Sequence, residues 1–182
     1  MNYFRFFLAL WMTCNVSLAT SQTLFRTSSG EISFYSKTPL EDIQATNQKV
    51  GAILNASTKE LAIQMRITDF QFPNKLMQEH FNENYLESEK FPTAKFVGKV
   101  KEQVELSKAG NYAVTAEGNL TIHGVTKPVV VKGSVSSTGT DMRINFAFQV
   151  RPEDYDIEVP SLVFDKIAET IDVSGKLNLV KQ

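Results

Sequence analysis

The side chains that carry most enzyme chemistry are scarce in this chain. Its 182 residues include one cysteine (Cys14), one tryptophan (Trp11) and two histidines (His80 and His123). Cys14 lies in an apolar N-terminal stretch, so the remainder offers no disulfide, no thiol nucleophile and no thiolate metal ligand. The two histidines stand more than forty residues apart in the sequence. No H-E-x-x-H, C-x-x-C or acidic calcium-loop pattern accompanies either, so neither a metal nor a cofactor is expected. A G-x-S-x-G nucleophile turn and a glycine-rich phosphate loop are also missing. Charge of one sign is lacking too: 19 Lys and Arg face 20 Asp and Glu, a formal net charge of −1. That balance gives no broad attraction for nucleic acid, and no nucleic-acid partner is expected.

The longest apolar run, "FFLALWMTCNVSLA", spans 14 residues and is interrupted by Thr13 and Asn15, which is short for a membrane span. It follows "MNYFR", a short start with one positive charge, and ends with Ser17 and Ala19 at the −3 and −1 positions of a cleavage site. This layout predicts a secretory signal peptide over residues 1–19, with the cut near Ala19 and a periplasmic or secreted product. A lipoprotein site is a poor fit, because Trp11, Met12 and Thr13 precede Cys14 where small residues are wanted. After cleavage no stable membrane insertion is expected. The remainder, residues 22–181, has no internal repeat and no linker and reads as one domain. Without disulfides it must be held by its core.

What the chain does have is alternation. "LAIQMRIT" (61–68) places Leu61, Ile63, Met65 and Ile67 on one side and polar residues or alanine on the other. "NYAVTAEGNLTIH" (111–123), "MRINFAFQVR" (142–151) and "TIDVSGKLNLV" (170–180) repeat the pattern, the period of strands with one dry face. Weaker runs at 30–37, 49–56, 94–106 and 128–137 bring the count to eight, separated mostly by turn-forming residues. Pro39 with "LEDIQ" predicts a looser connection between the first two. One-sided strands at short spacing predict an antiparallel meander, and closing it into a barrel hides every dry face. A two-sheet sandwich is the alternative. Two segments break the rhythm. Residues 73–92 carry Leu76, Met77, His80, Phe81 and Tyr85 at helical spacing after Pro73 and Asn74, and 159–170 predicts a second short helix with Leu162, Val163, Ile167 and Phe164 turned inward.

The inward registers supply the candidate site. Phe34, Leu54, Ile63, Met65, Phe96, Leu120, Ile122, Phe146 and Phe148 would wall an apolar interior, with Val163 and Phe164 at its end. Small residues fall among them at Ala52, Ala94, Gly98, Ala116, Gly118, Gly133 and Gly175. These are either the coiling points a barrel needs or part of an interior left open for a ligand. His123, where "LTIH" meets "GVTKP", reads as a turn or rim residue, and "EDYDIE" (153–158) as a solvated loop. No catalytic residue stands out.

"GNLTIHGVTKPVVV" (118–131) resembles the strand-turn-strand signature of the YceI-like family, with every position from Gly118 to Val129 fitting. "HFNENYLESEKFPTAKF" (80–96) is similar to the family's second signature, a short helix followed by Phe91, Pro92, Ala94 and Phe96. "EDYDIEVP" (153–160) resembles the segment after its penultimate strand, with Asp156 where glycine is commoner. The resemblance implies an eight-stranded antiparallel, lipocalin-like β-barrel with one or two short helices, exported to the periplasm. It implies a binding protein rather than an enzyme, holding a polyisoprenoid, quinone-like or fatty lipid for transport or storage, as a monomer or a homodimer. Two other readings stay open: a barrel with a packed interior and a structural or stress-related role, and an enzyme acting on an apolar substrate.

Overall fold

The computed structural model describes residues 23–159 and 167–182. Eight strands follow one another: β1 (Leu24–Lys37), β2 (Asp42–Asn55), β3 (Glu60–Arg66), β4 (Thr93–Val100), β5 (Gly110–Ile122), β6 (Val125–Ser137), β7 (Asp141–Val150) and β8 (Ile171–Lys181). Each pairs antiparallel with its neighbours in sequence, and β8 returns to β1, closing the barrel. Closure follows from the one-sided alternation, since no other arrangement of a single sheet buries eight dry faces. In such a meander the connections alternate between two ends. The β2–β3, β4–β5 and β6–β7 connections share one end with both termini of the barrel, here the closed end. The β1–β2, β3–β4, β5–β6 and β7–β8 connections share the other, the open end.

The closed end is packed solid. Phe25, Leu54, Leu106, Met142, Leu177 and Leu179 are each no more than 1% exposed. Burying side chains of this size contributes roughly 1.5–3 kcal/mol apiece. Leu106 reaches this position from a loop, because β4 stops at Val100 and not at 106 as the alternation suggested. Over residues 101–109 the chain leaves the ladder, and Glu102 takes the hydrogen bond of the Thr115 N–H (2.8 Å) that a longer strand would have taken. That bond holds the Glu102 carboxyl below its ordinary range.

The connection between the first two strands is tighter than expected. Thr38–Glu41 forms a short turn closed by Thr38 Oγ1, which accepts from the Glu41 N–H (3.1 Å), and β2 begins at Asp42. The alternation here was masked by Asn47, a polar residue on the inward register that is 0% exposed. Its side chain is satisfied. Nδ2 donates to the Arg66 carbonyl (2.9 Å) and Oδ1 accepts from the Lys49 N–H (2.9 Å). The bond to Arg66 crosses a place where the β2–β3 ladder has already stopped, at Gly51↔Gln64.

Asn74 starts the helix by accepting the Leu76 N–H on its side chain (2.9 Å). Helix α1 covers only Lys75–His80, and the chain continues as a wider π-helical turn over Phe81–Tyr85. The second expected helix, over 159–170, lies largely outside the described residues. "EDYDIE" is only partly the solvated loop expected. Pro152–Tyr155 forms a 3-10 turn and Asp156 adopts the left-handed conformation (φ 53°), which together turn Tyr155 into the core at 3% exposed.

Candidate functional site

Above the packed end the barrel is hollow. The lumen encloses a cavity of about 470 Å³ that reaches from Leu54, Val135 and Ile144, just above the packed end, to the open end. That volume lies within the usual range for a small-molecule site. Its wall is built by the inward register of seven strands: Phe34 from β1, Leu54 from β2, Ile63 and Met65 from β3, Phe96 from β4, Leu120 and Ile122 from β5, Val131 from β6, and Phe146 and Phe148 from β7. β8 closes the circle with Val173. Nine of the residues singled out in the sequence therefore line one space. Val163 and Phe164 lie outside the described residues.

The glycines have a more specific part than leaving room. Gly98 and Gly118 sit opposite each other on β4 and β5, and a side-chain carbon on either would meet Phe96 Cζ, at 2.5 and 2.8 Å. Gly175 is overlain in the same way by the ring of Phe146. Each glycine lets an aromatic ring lie back against the wall instead of standing across the lumen. The interior stays open because the large side chains are folded onto the small positions.

The sequence reading missed the lining from the β3–β4 connection. Ile67, Phe70, Phe72, Met77, Phe81 and Tyr85 all face the cavity. Phe34, Phe70, Phe72 and Phe81 form one cluster, with ring centroids 5.0 to 5.7 Å apart. The available signal was "DFQFP", in which Phe70 and Phe72 restart the alternation one residue out of step with β3, after the 3-10 turn Ile67–Asp69. The bridge Thr46↔Gln71 shows that this piece does pair with β2.

Polar groups are few and gather at the mouth. Glu41, Asn74, His80 and Tyr85 contribute to the lining there. Burial, and then the nearby Glu41 charge, push the Tyr85 phenol above its ordinary value. At the same end, Ser36 is 2% exposed and its Oγ accepts the Ala168 N–H (2.9 Å), leaving little for a ligand.

His123 does not line this cavity. It and Gly124 are the two central residues of the β5–β6 turn, with φ of 51° and 77°, the left-handed pair that a two-residue hairpin requires. The ring packs edge-on to Phe91 at 4.5 Å, and a side chain on Gly124 would strike that same Phe91. Nδ1 donates to the Tyr155 carbonyl (3.1 Å), and Nε2 lies 2.8 Å from a Glu87 carboxylate oxygen. His123 thus ties the hairpin tip to two other connections of the open end. Among the described residues, no three His, Cys, Asp or Glu side chains converge where they could hold a metal ion.

The arrangement can enclose a long apolar molecule. Comparison with known proteins agrees on the architecture. A family model described as the YceI-like domain matches residues 15–179. A UPF0312 protein of Pseudomonas fluorescens is 38% identical over 60 residues, covering 33% of this chain and 30% of its own. Another, from Pseudomonas putida F1, is 29% identical over 105 residues, covering 54% of this chain and 50% of its own. The chain thus spans about half the length, or less, of these relatives. Among solved structures, a polyisoprenoid binding domain from Saccharophagus degradans, implicated in plant cell wall breakdown, superposes with a TM-score of 0.77 at 11% identity, covering 89% of this chain and 100% of that one. BcnA of Burkholderia cenocepacia follows at 0.68 and 15%, covering 83% and 96%. The YceI protein of Campylobacter jejuni reaches 0.58 at 12%, covering 96% and 99%. At these identities the likeness is one of fold.

Proposed function

The chain belongs to the YceI-like domain family, and from that premise we propose that it binds a long apolar ligand of isoprenoid, quinone-like or fatty character inside the barrel, as a carrier or store and not as an enzyme. The observation that supports this most is the cavity of about 470 Å³ with an almost wholly apolar wall. Each methylene transferred from water into such a wall is worth about 0.8 kcal/mol. Ten of them give about 8 kcal/mol before ordering costs, enough for useful affinity with no charged anchor. The Saccharophagus domain, which binds a polyisoprenoid, shares this fold and supports the same ligand class here. The hollow speaks against a packed, purely structural interior. Among the described residues the wall below the mouth is built from apolar side chains, which speaks against catalysis there on an apolar substrate. We further propose that residues 1–19 direct export, so that the binding takes place in the periplasm or outside the cell.

The test is to purify the protein from its native host, extract it with organic solvent and weigh the extract by mass spectrometry. One apolar lipid per chain is the expected result. Phe146→Asp, which places a carboxylate in the cavity wall, should abolish retention, whereas Val130→Asp, on a side chain 60% exposed outside the barrel, should leave it unchanged. A clean extract, together with a wild-type protein that takes up no added isoprenol, would overturn the reading.

A further inference from the structure

Six large apolar side chains are strongly exposed among the described residues: Leu40, Ile53, Leu76, Val97, Val130 and Val180. Four of them stand on the outward registers of strands. Ile53 and Val97, for example, share a row through Ala62, and the rows on either side are polar, Glu60 with Lys99 and Gln64 with Lys95. Isolated apolar side chains on such a wall are ordinary. The other two are different. Leu40, 67% exposed, lies in the β1–β2 turn beside Glu41, which lines the cavity mouth. Leu76, 56% exposed, lies in the first turn of α1 and forms part of the mouth itself. Glu41, Leu76 and Tyr85 line the same mouth, and Phe34 of β1 stacks on Phe81 at 5.4 Å, so the β1–β2 turn and the helical arm stand side by side. Half-buried Phe72 and Met77 continue the apolar rim inward into the cavity.

An exposed apolar collar that is continuous with an apolar cavity fits a second apolar phase better than it fits water. On the reading that the cavity holds an isoprenoid-type ligand, we propose that the open end docks transiently on a lipid bilayer through Leu40 and Leu76, so that the ligand passes between membrane and barrel without crossing water. The charges select the kind of surface. Residues 37–42 and 74–85 carry two lysines (Lys37, Lys75) against four carboxylates (Glu41, Asp42, Glu79, Glu83). Such a rim gains nothing from anionic lipid. The partner it fits is a zwitterionic bilayer, held by apolar contact and therefore insensitive to salt.

The experiment follows transfer of a fluorescent long-chain isoprenol from phosphatidylcholine vesicles to the protein. Transfer by contact speeds up in proportion to vesicle concentration, whereas transfer through water does not. The wild-type rate should rise with vesicle concentration and be unchanged by salt. Leu40→Asp, outside the cavity wall, should slow it on the order of tenfold, a barrier change that corresponds to losing the burial of one such side chain. Its equilibrium loading from ethanol should be unchanged. Leu76→Asp should also slow transfer, and the paired wall variant Ile53→Asp with Val97→Asp should not. A wild-type rate independent of vesicle concentration, or equal rates for wild type and Leu40→Asp, overturns the docking even if loading is intact. A protein that takes up no isoprenol from ethanol overturns the function instead. Flotation of the unloaded protein with the same vesicles, lost in Leu40→Asp, then still reads the docking by itself.

Discussion

Phe96 occupies the space that side chains at positions 98 and 118 would otherwise fill. Glycine in a strand interior weakens it, because more backbone entropy is lost and no side chain packs. Here that cost is offset by the contact of the ring with two bare backbones. Replacing Gly118 shows which of the two effects wins. In Gly118→Val the new side chain meets Gly98 Cα and Phe96, and the ring must swing into the lumen. Overpacking of this kind costs typically 1–3 kcal/mol. The expected outcome is a matching loss of stability in urea unfolding together with a smaller ligand load per chain. Gly118→Val with Phe96→Ala should not recover stability, because the contacts with the Val97 carbonyl and Gly98 Cα remain and a buried ring is lost. If the single variant kept full ligand capacity, the ring would not be lying where the cavity depends on it.

At the scale of elements, the open end has two lapses in the ladder, and a polar side chain spans each. β2 and β3 stop pairing at Gly51↔Gln64, and Asn47 reaches from one to the Arg66 carbonyl of the other. Residues 125–131 of β6 pair with β5 alone, and His123 at the hairpin tip reaches Tyr155 beyond β7. Asn47→Ala would remove two hydrogen bonds made by a fully buried amide, to the Arg66 carbonyl and the Lys49 N–H, a change that costs about 0.5–1.5 kcal/mol for each bond. Thermal unfolding should show that loss, and hydrogen exchange should locate it in β2 and β3 rather than across the whole sheet. The same lapses explain how far the sequence could be read. β5, β7 and β8 alternate without interruption, and their inward sides were legible residue by residue. β2 was half hidden because Asn47 put an amide where the pattern wanted a methyl group. β4 was overextended because "KEQVEL" keeps the period while its backbone leaves the ladder and sends Leu106 into the closed end. The wall positions of the cavity share the strand period and could be identified. The phenylalanines of 70–81 could not, because they come from an irregular connection whose period changes twice. That the interior is open was legible only as one of two readings of its small residues, since alternation tells which way a side chain points and not how much volume remains.

The molecule as a whole divides its work between its two ends. The closed end carries the tightest packing, which leaves the open end free to be hollow and to be stitched by polar contacts and aromatic rings. Two tyrosines there, Tyr85 and Tyr155, have phenols held above the ordinary value, first by burial and then by a neighbouring carboxylate, Glu41 and Asp154 respectively. The sign of the effect on stability follows by linkage. The unfolded phenols ionise near pH 10, whereas the folded ones still hold their protons, so the folded state binds more protons in that window and stability falls as pH rises through it. Below about pH 10 the contribution is fully present. The protein should therefore lose thermal stability progressively above about pH 10, and bound lipid should be released over the same range because Tyr85 lines the mouth. Tyr85→Phe combined with Tyr155→Phe should flatten most of that decline. The slope that remains belongs to two solvent-screened groups, Tyr35 on the outer face, whose phenol is raised by its hydrogen bond to Asp42, and Lys108, raised by its hydrogen bond to Glu105. An unaltered alkaline decline in the double variant, followed by calorimetry and by ultraviolet titration of phenolate, would mean that the open end is not where the fold yields first.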